Sequence, residues 1–497
     1  MLVSRSAFLF FRVISWIVPY VMNPTIIKFG GTSVEDAPAF LRATEIIDAR
    51  RALRPVVVVS AISGMTDALI ASMRVASHQQ MHTAVTLLKP HFERHLEASA
   101  GLLAEAQARD FHQQVEKAQS EVCALLETIS RSKQAQGQLS DSVLSYGERL
   151  SSLLLTAVLR ARGCDARTVD ARQVVITDDQ YGCAAPLFKE TFEKTRSTLS
   201  PLLDAGLIPV LGGFVGSTLR GETTTLGRGG SDYTAALVGA ALGANEIQIW
   251  TDVSGVLTAD PRIVPQAQPI RRLSYGEAAE LAYFGAKVLH PKTIQPAVEN
   301  SIPVRICNSH LPEEDGTLVA AETEASPRTV KSIAHKTGVT TIQITSARML
   351  GAYGFLRALF EVFDRHRTAV DVVTTSEVSV SLSLDDVAAL TAITRELEEL
   401  GAVRVERGRA IICVVGEGLC GTPGIAAKVF NTISDINVTL ISQGASSINL
   451  TFAIEEGRVG EAVCRLHEAF FEVSGVENAK ANSFPQRRKV AKGLHLT

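Results

Sequence analysis

The chain contains 497 residues, of which 46% are hydrophobic and 20% charged, and its formal net charge is −3 at pH 7. This length allows about three domains of ordinary size, and the composition is that of a folded globular protein. Low net charge and the lack of a basic stripe with interleaved aromatic residues exclude a disordered chain and a nucleic-acid-coating protein, so we expect no nucleic-acid partner.

The cysteines and the first residues bear on the cellular compartment. The 7 cysteines lack CxxC spacing and are odd in number, which argues against a zinc knuckle or a disulfide framework and favours free thiols in a cytoplasmic protein. Residues 7–21 are apolar, but Arg12 and Pro19 interrupt them, and they are shorter than the roughly 20 residues that span a bilayer. They also lack a small-x-small cleavage site. We interpret residues 1–22 as an extension outside the fold, with Met22 as the natural first residue, and expect no membrane partner.

Short β-branched runs alternate with helical stretches from residue 25 to about 310. This alternation predicts an α/β fold in which a mostly parallel sheet is covered by helices on both faces. Residues 68–138 are polar with a helical pattern, which predicts a helical lobe inserted between early strands. The predicted strands are TIIKF (25–29), PVVVVSA (55–61), LIPVLGGF (207–214), EIQIWTD (246–252) and IPVRIC (302–307).

A glycine turn runs into a small-residue helix in TTTLGRGGSDYTAALVGAALGA, residues 223–244. Its glycines allow positive φ and close approach of the backbone to a ligand. We expect Ser231 or Asp232 to cap a helix that begins near Tyr233 and ends at Gly243. The glycines of the turn are Gly227, Gly229 and Gly230.

The chemistry of this turn indicates an anion site. The helix N-terminus favours a phosphate or a carboxylate, and Arg228 can bind a carboxylate through two hydrogen bonds. Asp232 suits an ammonium group or a magnesium ion. Close packing alone is the alternative explanation of a glycine turn before an alanine-rich helix.

A second phosphate-binding pattern is KFGGTSV, residues 28–34. Lys28 lies at the end of the first strand, and the amides of Gly30, Gly31 and Thr32 can cradle oxygens while the ammonium group neutralises charge. Taken singly, an exposed lysine before a glycine turn is the commoner case.

Other segments add polar groups, and each is weak when taken alone. Thr251 and Asp252 follow an apolar strand, where open α/β sheets bind ligands, and Lys287 adds a second cation. Glu148 lies near the start of an amphipathic helix and Thr66 follows another strand, although such residues are most often a solvated helix face and a helix cap.

The last third of the chain contains an internal repeat. GFLRALFEVFDRHRTAVDVVTTSEVSVSL and GIAAKVFNTISDINVTLISQGASSINLTF align with a constant offset of 70 residues, and each copy reads as helix, strand, turn, strand. Two small α/β modules therefore follow residues 308–330, which are rich in Pro, Glu, Ser and Thr. GEGLCG at 416–421 matches a dinucleotide-binding pattern, but its counterpart 70 residues earlier lacks the glycines and too little chain follows it.

Taken together, KFGGTSV, TTTLGRGGSDYTAALVGAALGA, IWTDVSGVLTADPR, FGAKVLHP and VDVVTTSEVSV resemble the aspartate kinase family, most closely its monofunctional lysine-sensitive type. The resemblance covers roughly residues 25–472 and implies an amino-acid-kinase domain followed by two ACT domains. The implied domains are a catalytic domain at 23–312, a linker at 313–337, a first ACT domain at 346–405, a discontinuous second ACT domain at 338–345 with 406–472, and a solvated tail at 473–497.

The resemblance implies transfer of the γ-phosphoryl group of ATP, with Mg²⁺, to the side-chain carboxylate of L-aspartate, which opens the pathway to lysine, threonine and methionine. Lys28 would stabilise the transferring group, Arg228 would hold the α-carboxylate, and Glu148 and Asp232 would bind the ammonium. No metal-ligating residues are implied. The aspartate pocket would be completed by Thr66, Gly229, Gly230 and Ser231.

The same resemblance implies a nucleotide site and an effector site. The nucleotide residues would be Lys28, Phe29, Gly30, Gly31, Thr251, Asp252, Leu257, Arg262, Lys287 and Val288. The effector residues would be Met349, Ala352, Phe355, Leu356, Ala369, Val370, Asp371, Ser376 and Glu377. Leu257 replaces the family's usual tyrosine, so an aromatic contact with the nucleotide is lost. Ala352 stands where the lysine-sensitive pattern has serine, so one hydrogen bond to L-lysine is missing.

Alternatives remain at this stage. The chain could be an amino-acid-sensing protein without turnover, although the charged residues that the chemistry needs are all retained. It could also phosphorylate another acceptor such as glutamate or carbamate, although Glu148 with Arg228 favours a zwitterionic amino acid. Paired ACT modules favour a homodimer or a higher homo-oligomer.

Overall fold

The computed structural model describes residues 22–134, 137–285, 289, 291–321 and 328–472. Residues 1–21, the tail 473–497, and the predicted nucleotide residues Lys287 and Val288 lie outside this part of the chain. No helix among the described residues is long and apolar enough to span a membrane. All 7 cysteines lie within the described residues as free thiols, as the sequence predicts.

The N-terminal part is an α/β unit, as predicted. Its strands are β1 (Thr25–Phe29), β2 (Pro55–Val59), β3 (Ala166–Val169), β4 (Ile176–Thr177), β5 (Ile208–Gly212), β6 (Val215–Thr218), β7 (Thr223–Thr225), β8 (Glu246–Thr251), β9 (Arg272–Ser274), β10 (Val304–Asn308) and β11 (Thr317–Ala320). Its helices are α1 (Ala37–Asp48), α2 (Met65–Ser77), α3 (Met81–Leu102), α4 (Glu105–Ser132), α5 (Gln138–Leu144), α6 (Tyr146–Ala161), α7 (Phe188–Asp204), α8 (Gly230–Leu242), α9 (Tyr275–Tyr283) and α10 (Gln295–Glu299).

The five predicted strands all form and lie side by side. An eight-stranded sheet has the order β3-β5-β2-β1-β8-β10-β11-β9, in which only the β10–β11 pairing is antiparallel. The predicted helical lobe consists of α2, α3 and α4, whose apolar side chains bury themselves with α1 and α6 against one face of the sheet. The other face is covered by α7, α8 and α9. The carboxyl ends of β1, β2 and β8 therefore meet at one edge.

The C-terminal part contains the two repeated modules. Its elements are β12 (Ser332–Thr345), α11 (Phe355–Arg365), β13 (Val373–Thr375), β14 (Ser379–Leu384), α12 (Leu390–Leu397), β15 (Ala402–Val415), α13 (Ile425–Thr432), β16 (Leu440–Gln443), β17 (Asn449–Glu455) and α14 (Val459–His467). The repeat is confirmed, because β14 and β17 begin 70 residues apart and Gly354 and Gly424 both precede a helix with left-handed φ values of 82° and 87°.

Both modules share one six-stranded sheet with the order β13-β14-β12-β15-β17-β16. The strands β12 and β15 are long enough to serve both modules. Residues 340–345 of β12 pair with β14 and contribute Ile342 and Ile344 to the core of the first module. Residues 332–336 pair with 411–415 of β15, next to the core of the second module, which contains Ile333 and Ile412.

Two predicted boundaries are therefore wrong. The discontinuous strand of the second module is residues 332–336, not 338–345, because residues 340–345 pair with β14 of the first module. The two halves of β12 are separated by a register shift after Lys336 and by Gly338, whose φ is 73°. The predicted linker is also partly ordered: residues 317–320 form β11, which pairs with β9 and β10 of the catalytic sheet. Thr317 and Val319 of β11 are fully buried and alternate with more exposed residues. This alternation is too short to stand out in a segment rich in Pro, Glu and Ser.

A third correction concerns the small-residue helix. Helix α8 begins at Gly230, three residues earlier than predicted, and Gly243 ends it as expected. Gly229 is the N-cap with φ 73°, and a Cβ at this position would approach Thr293 Cγ2 to 2.7 Å. The left-handed glycine lets the helix start without a side-chain cap, so Ser231 and Asp232 lie in its first turn instead of capping it.

Candidate active site

A polar cleft of about 550 Å³ lies at the carboxyl edge of the sheet. It is bounded by the end of β1, by the loop after β2, and by the N-terminal turns of α2 and α8. The predicted aspartate-pocket residues all line it. They are Lys28, Thr66, Glu148, Arg228, Gly229, Gly230, Ser231 and Asp232. The tertiary fold thus brings together residues separated by about 200 positions in the chain.

Lys28 and Asp232 form an ion pair across the floor of the cleft. The Lys28 ammonium lies 2.6 Å from Asp232 Oδ1, and the two side chains are only 10% and 17% exposed. Lys28 belongs to β1, which pairs on both sides with neighbouring parallel strands, so its backbone is held rigidly. A buried cation at this point offers charge to a phosphoryl group without a large change of structure.

The glycines beside Lys28 allow close approach of backbone to ligand. The Gly30 amide donates to the carbonyl of Trp250 over 3.0 Å, which ties this turn to β8. A Cβ on Gly31 would lie 2.9 Å from the carbonyl of Ala61, so a side chain would force the two loops apart. The interpretation of KFGGTSV as a site that needs these glycines is consistent with both contacts.

The turn before α8 presents its backbone and Arg228 to the cleft. Gly227 and Gly229 have φ values of 76° and 73°, and Gly230 begins the helix. A Cβ on Gly230 would approach Phe214 Cδ2 to 2.7 Å, so this position also excludes a side chain. Arg228 is exposed at the rim, where its guanidinium group is accessible to a carboxylate. The anion-site hypothesis therefore has a geometric basis.

Glu148 is the clearest electrostatic anomaly of the cleft. The sequence taken alone suggested a solvated helix face, but the residue is 4% exposed on α6. Its Oε2 atom is buried and has no hydrogen-bond partner among the described residues. Burial raises the pKa of Glu148 from 4.5 to about 7, while the Ala61 and Glu148 amides and the Lys28 charge oppose the rise only in part. A cation placed here would gain a strong partner.

The opposite wall is the first turn of α2. Thr66 is half-buried there, and Asp67 lines the cleft beside it. Arg94 of α3 holds this wall, because its guanidinium group donates to the carbonyls of Ser63 and Glu35 over 2.8 Å each. Asp67 and Arg94 were not among the predicted site residues, since nothing in the helical pattern of the lobe relates them to a cleft.

Asp141 is another supporting residue that the sequence did not reveal. It is fully buried on α5, and its carboxylate accepts hydrogen bonds from the amide and hydroxyl of Thr225, at the end of β7, and from the Gly182 amide, over 2.8 to 3.0 Å. Burial raises its pKa, against these three hydrogen bonds. The contacts fix the strand that enters the glycine turn. The order SDSV in the sequence carries no signal of this role.

The predicted nucleotide residues are only partly brought together. Thr251 and Asp252 follow Trp250, which pairs with Phe29, so they lie beside Gly30 at the same sheet edge. The Thr251 hydroxyl donates to Asp252 Oδ1 over 3.0 Å. Two serines that were not predicted stabilise this edge of the sheet. The Ser33 hydroxyl donates to the Ser309 hydroxyl over 2.9 Å, and the Ser309 hydroxyl donates to the Thr251 carbonyl.

Leu257 and Arg262 lie further along, on the loop that follows β8. Arg262 forms a two-point ion pair with Asp260 at 2.6 and 3.0 Å and is 84% exposed. The Leu257 carbonyl accepts from the Ser332 hydroxyl of β12. Neither residue lines the cleft described above.

The predicted effector residues fall into two groups at opposite ends of β13. Met349, Ala352, Phe355 and Leu356 lie where α11 begins, and the Ser346 amide donates to Val378 O, which places Ser376 and Glu377 at the same end. Asp371 lies at the other end, where its amide donates to Ser383 O, and Ala369 and Val370 directly precede it.

Asp371 contacts the catalytic domain. Its carboxylate accepts from the Tyr283 hydroxyl at the end of α9, and Lys336 Nζ lies 3.8 Å from its Oδ2 atom. The Asp371 side chain is 3% exposed, and burial raises its pKa. Burial and this carboxylate together raise the pKa of Tyr283. The carboxylate of this predicted effector residue is thus already engaged by an interdomain hydrogen bond.

A mostly parallel sheet with glycine turns at the carboxyl ends of its strands, followed by two repeated α/β modules, is the architecture expected of a regulated phosphotransferase of the amino acid kinase type. Comparison with known proteins agrees, because the amino acid kinase family model matches residues 23–308 and the ACT domain model matches residues 412–470. The chain belongs to the aspartokinase family. It is 38% identical to lysine-sensitive aspartokinase 3 of Escherichia coli over 458 residues, which cover 90% of this chain and 98% of that protein.

Further relatives and solved structures support the assignment. Aspartokinase 2 of the Arabidopsis thaliana chloroplast is 37% identical over 465 residues, covering 90% of this chain and 84% of that protein. The crystal structure of E. coli aspartokinase III with aspartate and ADP, in its R-state, matches with a TM-score of 0.78 at 36% identity, covering 90% of this chain and all of that one. Its T-state, with lysine and aspartate, matches with a TM-score of 0.74.

Proposed function

We propose that this protein transfers the γ-phosphoryl group of ATP to the β-carboxylate of L-aspartate, giving 4-phospho-L-aspartate. The observation that carries the proposal is the pair of unmatched charges in the cleft. Glu148 presents a buried oxygen that has no partner in the described part of the chain, and Arg228 stands exposed at the rim. One anionic and one cationic group are what an amino acid requires for its ammonium and its α-carboxylate. The E. coli relative, solved with aspartate and ADP, supports this substrate pair.

The reaction follows from positioning and charge neutralisation. The β-carboxylate of aspartate is already ionised at neutral pH, so no general base is needed for its attack on phosphorus. Lys28 neutralises charge on the transferring group, while Asp232, its partner at 2.6 Å, turns to the substrate ammonium together with Glu148. The N-terminal turn of α8 stabilises negative charge through its amides and dipole.

ATP enters as its magnesium complex in this proposal. The described residues contain no group of three or more His, Cys, Asp or Glu side chains that could hold a metal. Magnesium keeps several waters and binds mainly to phosphate oxygens in such enzymes, so this donor set fits an ion that arrives with the nucleotide. The protein's own part is then to hold the phosphates with Lys28 and the amides of Gly30 and Gly31.

We further propose feedback inhibition by L-lysine and assembly of a homodimer through the first ACT module. The effector residues lie at opposite ends of β13, which is an edge strand. Antiparallel pairing of two copies of this edge would bring Asp371 of one chain near Ser376 and Glu377 of the other. Tyr353, Leu356 and Phe360 are exposed on the same module, which supports a covered face. The free thiols fit a cytoplasmic protein.

The test is ADP release by the chain starting at Met22, with MgATP and L-aspartate, repeated with L-glutamate and with added L-lysine. We expect turnover that depends on aspartate and that lysine suppresses. Lys28→Ala should abolish turnover while leaving aspartate binding measurable by calorimetry. Full activity in that variant would refute the role of Lys28. Lysine binding without any aspartate-dependent ADP release would favour the amino-acid sensor instead.

A further inference from the structure

The loop of residues 252–271, here called the nucleotide loop, is held by the second ACT module. Ala259 and Val264 of this loop are 5% and 3% exposed and belong to the same core as Ile412 and Leu450. The Cys464 thiol of α14 donates to the carbonyl of Ile263 over 3.4 Å. The loop that carries Leu257 and Arg262 therefore packs against side chains of the second ACT module.

Thr258 is the centre of this attachment. Its backbone amide donates to Gln268 O, and the Gln268 amide donates back to the Thr258 hydroxyl, both over 2.9 Å, so the two ends of the loop are closed on each other. Its carbonyl accepts from the amide of Ile333 in β12 over 2.8 Å. Thr258 is 5% exposed, so each of these hydrogen bonds is protected from water.

His467 completes the hydrogen bonding of Thr258 from the regulatory side. Its Nε2 atom lies 2.9 Å from Thr258 Oγ1, and its Nδ1 atom lies 3.1 Å from Glu472 Oε1. Because the Gln268 amide already donates to Oγ1, the hydroxyl proton is free to be donated to Nε2, with Nδ1 donating to Glu472. The ring is fully buried and lies against Phe471, with centroids 4.7 Å apart, so its position is fixed.

We infer that His467 is a positioning residue for the nucleotide: through Thr258 it holds the loop that carries Leu257 and Arg262 in its binding conformation. The inference rests on the proposed role of this loop in nucleotide binding. The second ACT module would then contribute to nucleotide binding by the catalytic domain. The same threonine is also bound by β12, whose Ile333 amide donates to the Thr258 carbonyl, and β12 runs on into the first module.

The test uses the full chain and compares Thr258→Val, which removes the hydroxyl, with Thr258→Ser, which keeps it. His467→Leu removes the same hydrogen bond from the other side. We expect His467→Leu to raise KM for ATP and the Kd for MgADP roughly five- to tenfold, the effect of about one lost buried hydrogen bond. Thr258→Val also removes the acceptor of the Gln268 amide, so it should raise both constants at least as much. KM for aspartate should change less than twofold, and Thr258→Ser should behave as the unmodified chain.

The double variant separates positioning from general damage. If the two side chains act through one hydrogen bond, Thr258→Val with His467→Leu should weaken MgADP binding no more than the stronger single change. Unchanged KM for ATP, equal increases in both KM values, or multiplied effects in the double variant would overturn the inference. If His467→Leu fails to fold, Thr258→Val still removes the bond from the catalytic side, and a KM for ATP that this variant leaves unchanged would overturn the inference.

Calorimetry with MgADP also separates this inference from the proposed function. A chain that does not bind MgADP at all would refute the nucleotide site itself. A chain that binds MgADP equally well with and without the Thr258 hydroxyl would refute the positioning role of His467 alone.

Discussion

Replacing Glu148 by Gln should make the protein more stable and less able to bind aspartate. In the folded chain burial raises the pKa of this carboxyl from 4.5 to about 7. At about 1.4 kcal/mol for each tenfold change in proton affinity, keeping Glu148 ionised costs about 3 kcal/mol of folding free energy. The amide of Gln carries no charge, so Glu148→Gln removes this cost, less the cost of any amide hydrogen left without a partner.

The sign of the pH dependence follows from the direction of the shift. Between about pH 4.5 and 7 the folded state holds the proton of Glu148 while the unfolded chain has lost it, so this group lowers stability as the pH rises through that window. Below it the carboxyl is protonated in both states and has no effect. The advantage of Glu148→Gln should therefore be near zero at pH 4.5 and reach about 1 to 3 kcal/mol at pH 8.

Urea unfolding of both chains at several pH values measures this difference directly. The same group should govern substrate affinity, because only the ionised form attracts an ammonium group. KM for aspartate in the unmodified chain should rise as the pH falls below about 7, and Glu148→Gln should have a high KM for aspartate at every pH. A variant that is less stable than the unmodified chain at pH 8, or that keeps a normal KM for aspartate, would refute the reasoning.

Two further predictions concern helix α9, which joins the catalytic domain to the regulatory sheet. Lys331→Met should lower the free energy of unfolding by about 3 to 5 kcal/mol, because it leaves Glu277 buried without the ammonium group that lies 2.7 Å from its carboxylate. Adding Glu277→Gln should restore part of this loss, and urea unfolding measures both changes. Tyr283→Phe should lower the concentration of L-lysine that half-inhibits turnover by several-fold, because the hydroxyl no longer competes for Asp371.

Controls for these two changes are available in the same assays. A Lys331→Met chain that unfolds like the unmodified one would show that the ion pair makes no net contribution. Tyr283→Phe should leave the uninhibited rate unchanged, and an unchanged or weaker response to lysine would show that the contact with Asp371 does not oppose effector binding.

Local chemistry accounts for what could be predicted along the chain. Five strands of the catalytic sheet, the left-handed glycines of the turn, and the repeat of 70 residues follow from periodicity and backbone preference. These depend on neighbours in sequence, so one chain suffices to predict them. The cleft residues were named because long motifs resemble those of a known family, and the structure places all of the aspartate-pocket set in one cleft.

Other features depend on contacts between distant segments, and only the tertiary structure decided them. The hydrogen bond between Asp141 and Thr225 joins residues 84 positions apart, and the one between His467 and Thr258 joins residues 209 positions apart. The burial of Glu148 likewise depends on packing between distant segments. The division of β12 between two modules was likewise decided by strand pairing, because β15 pairs with both halves of the strand and β14 pairs only with residues 340–345. The sequence determined which groups can do the chemistry; desolvation and long-range packing determined which of them are charged, paired and in reach of one another.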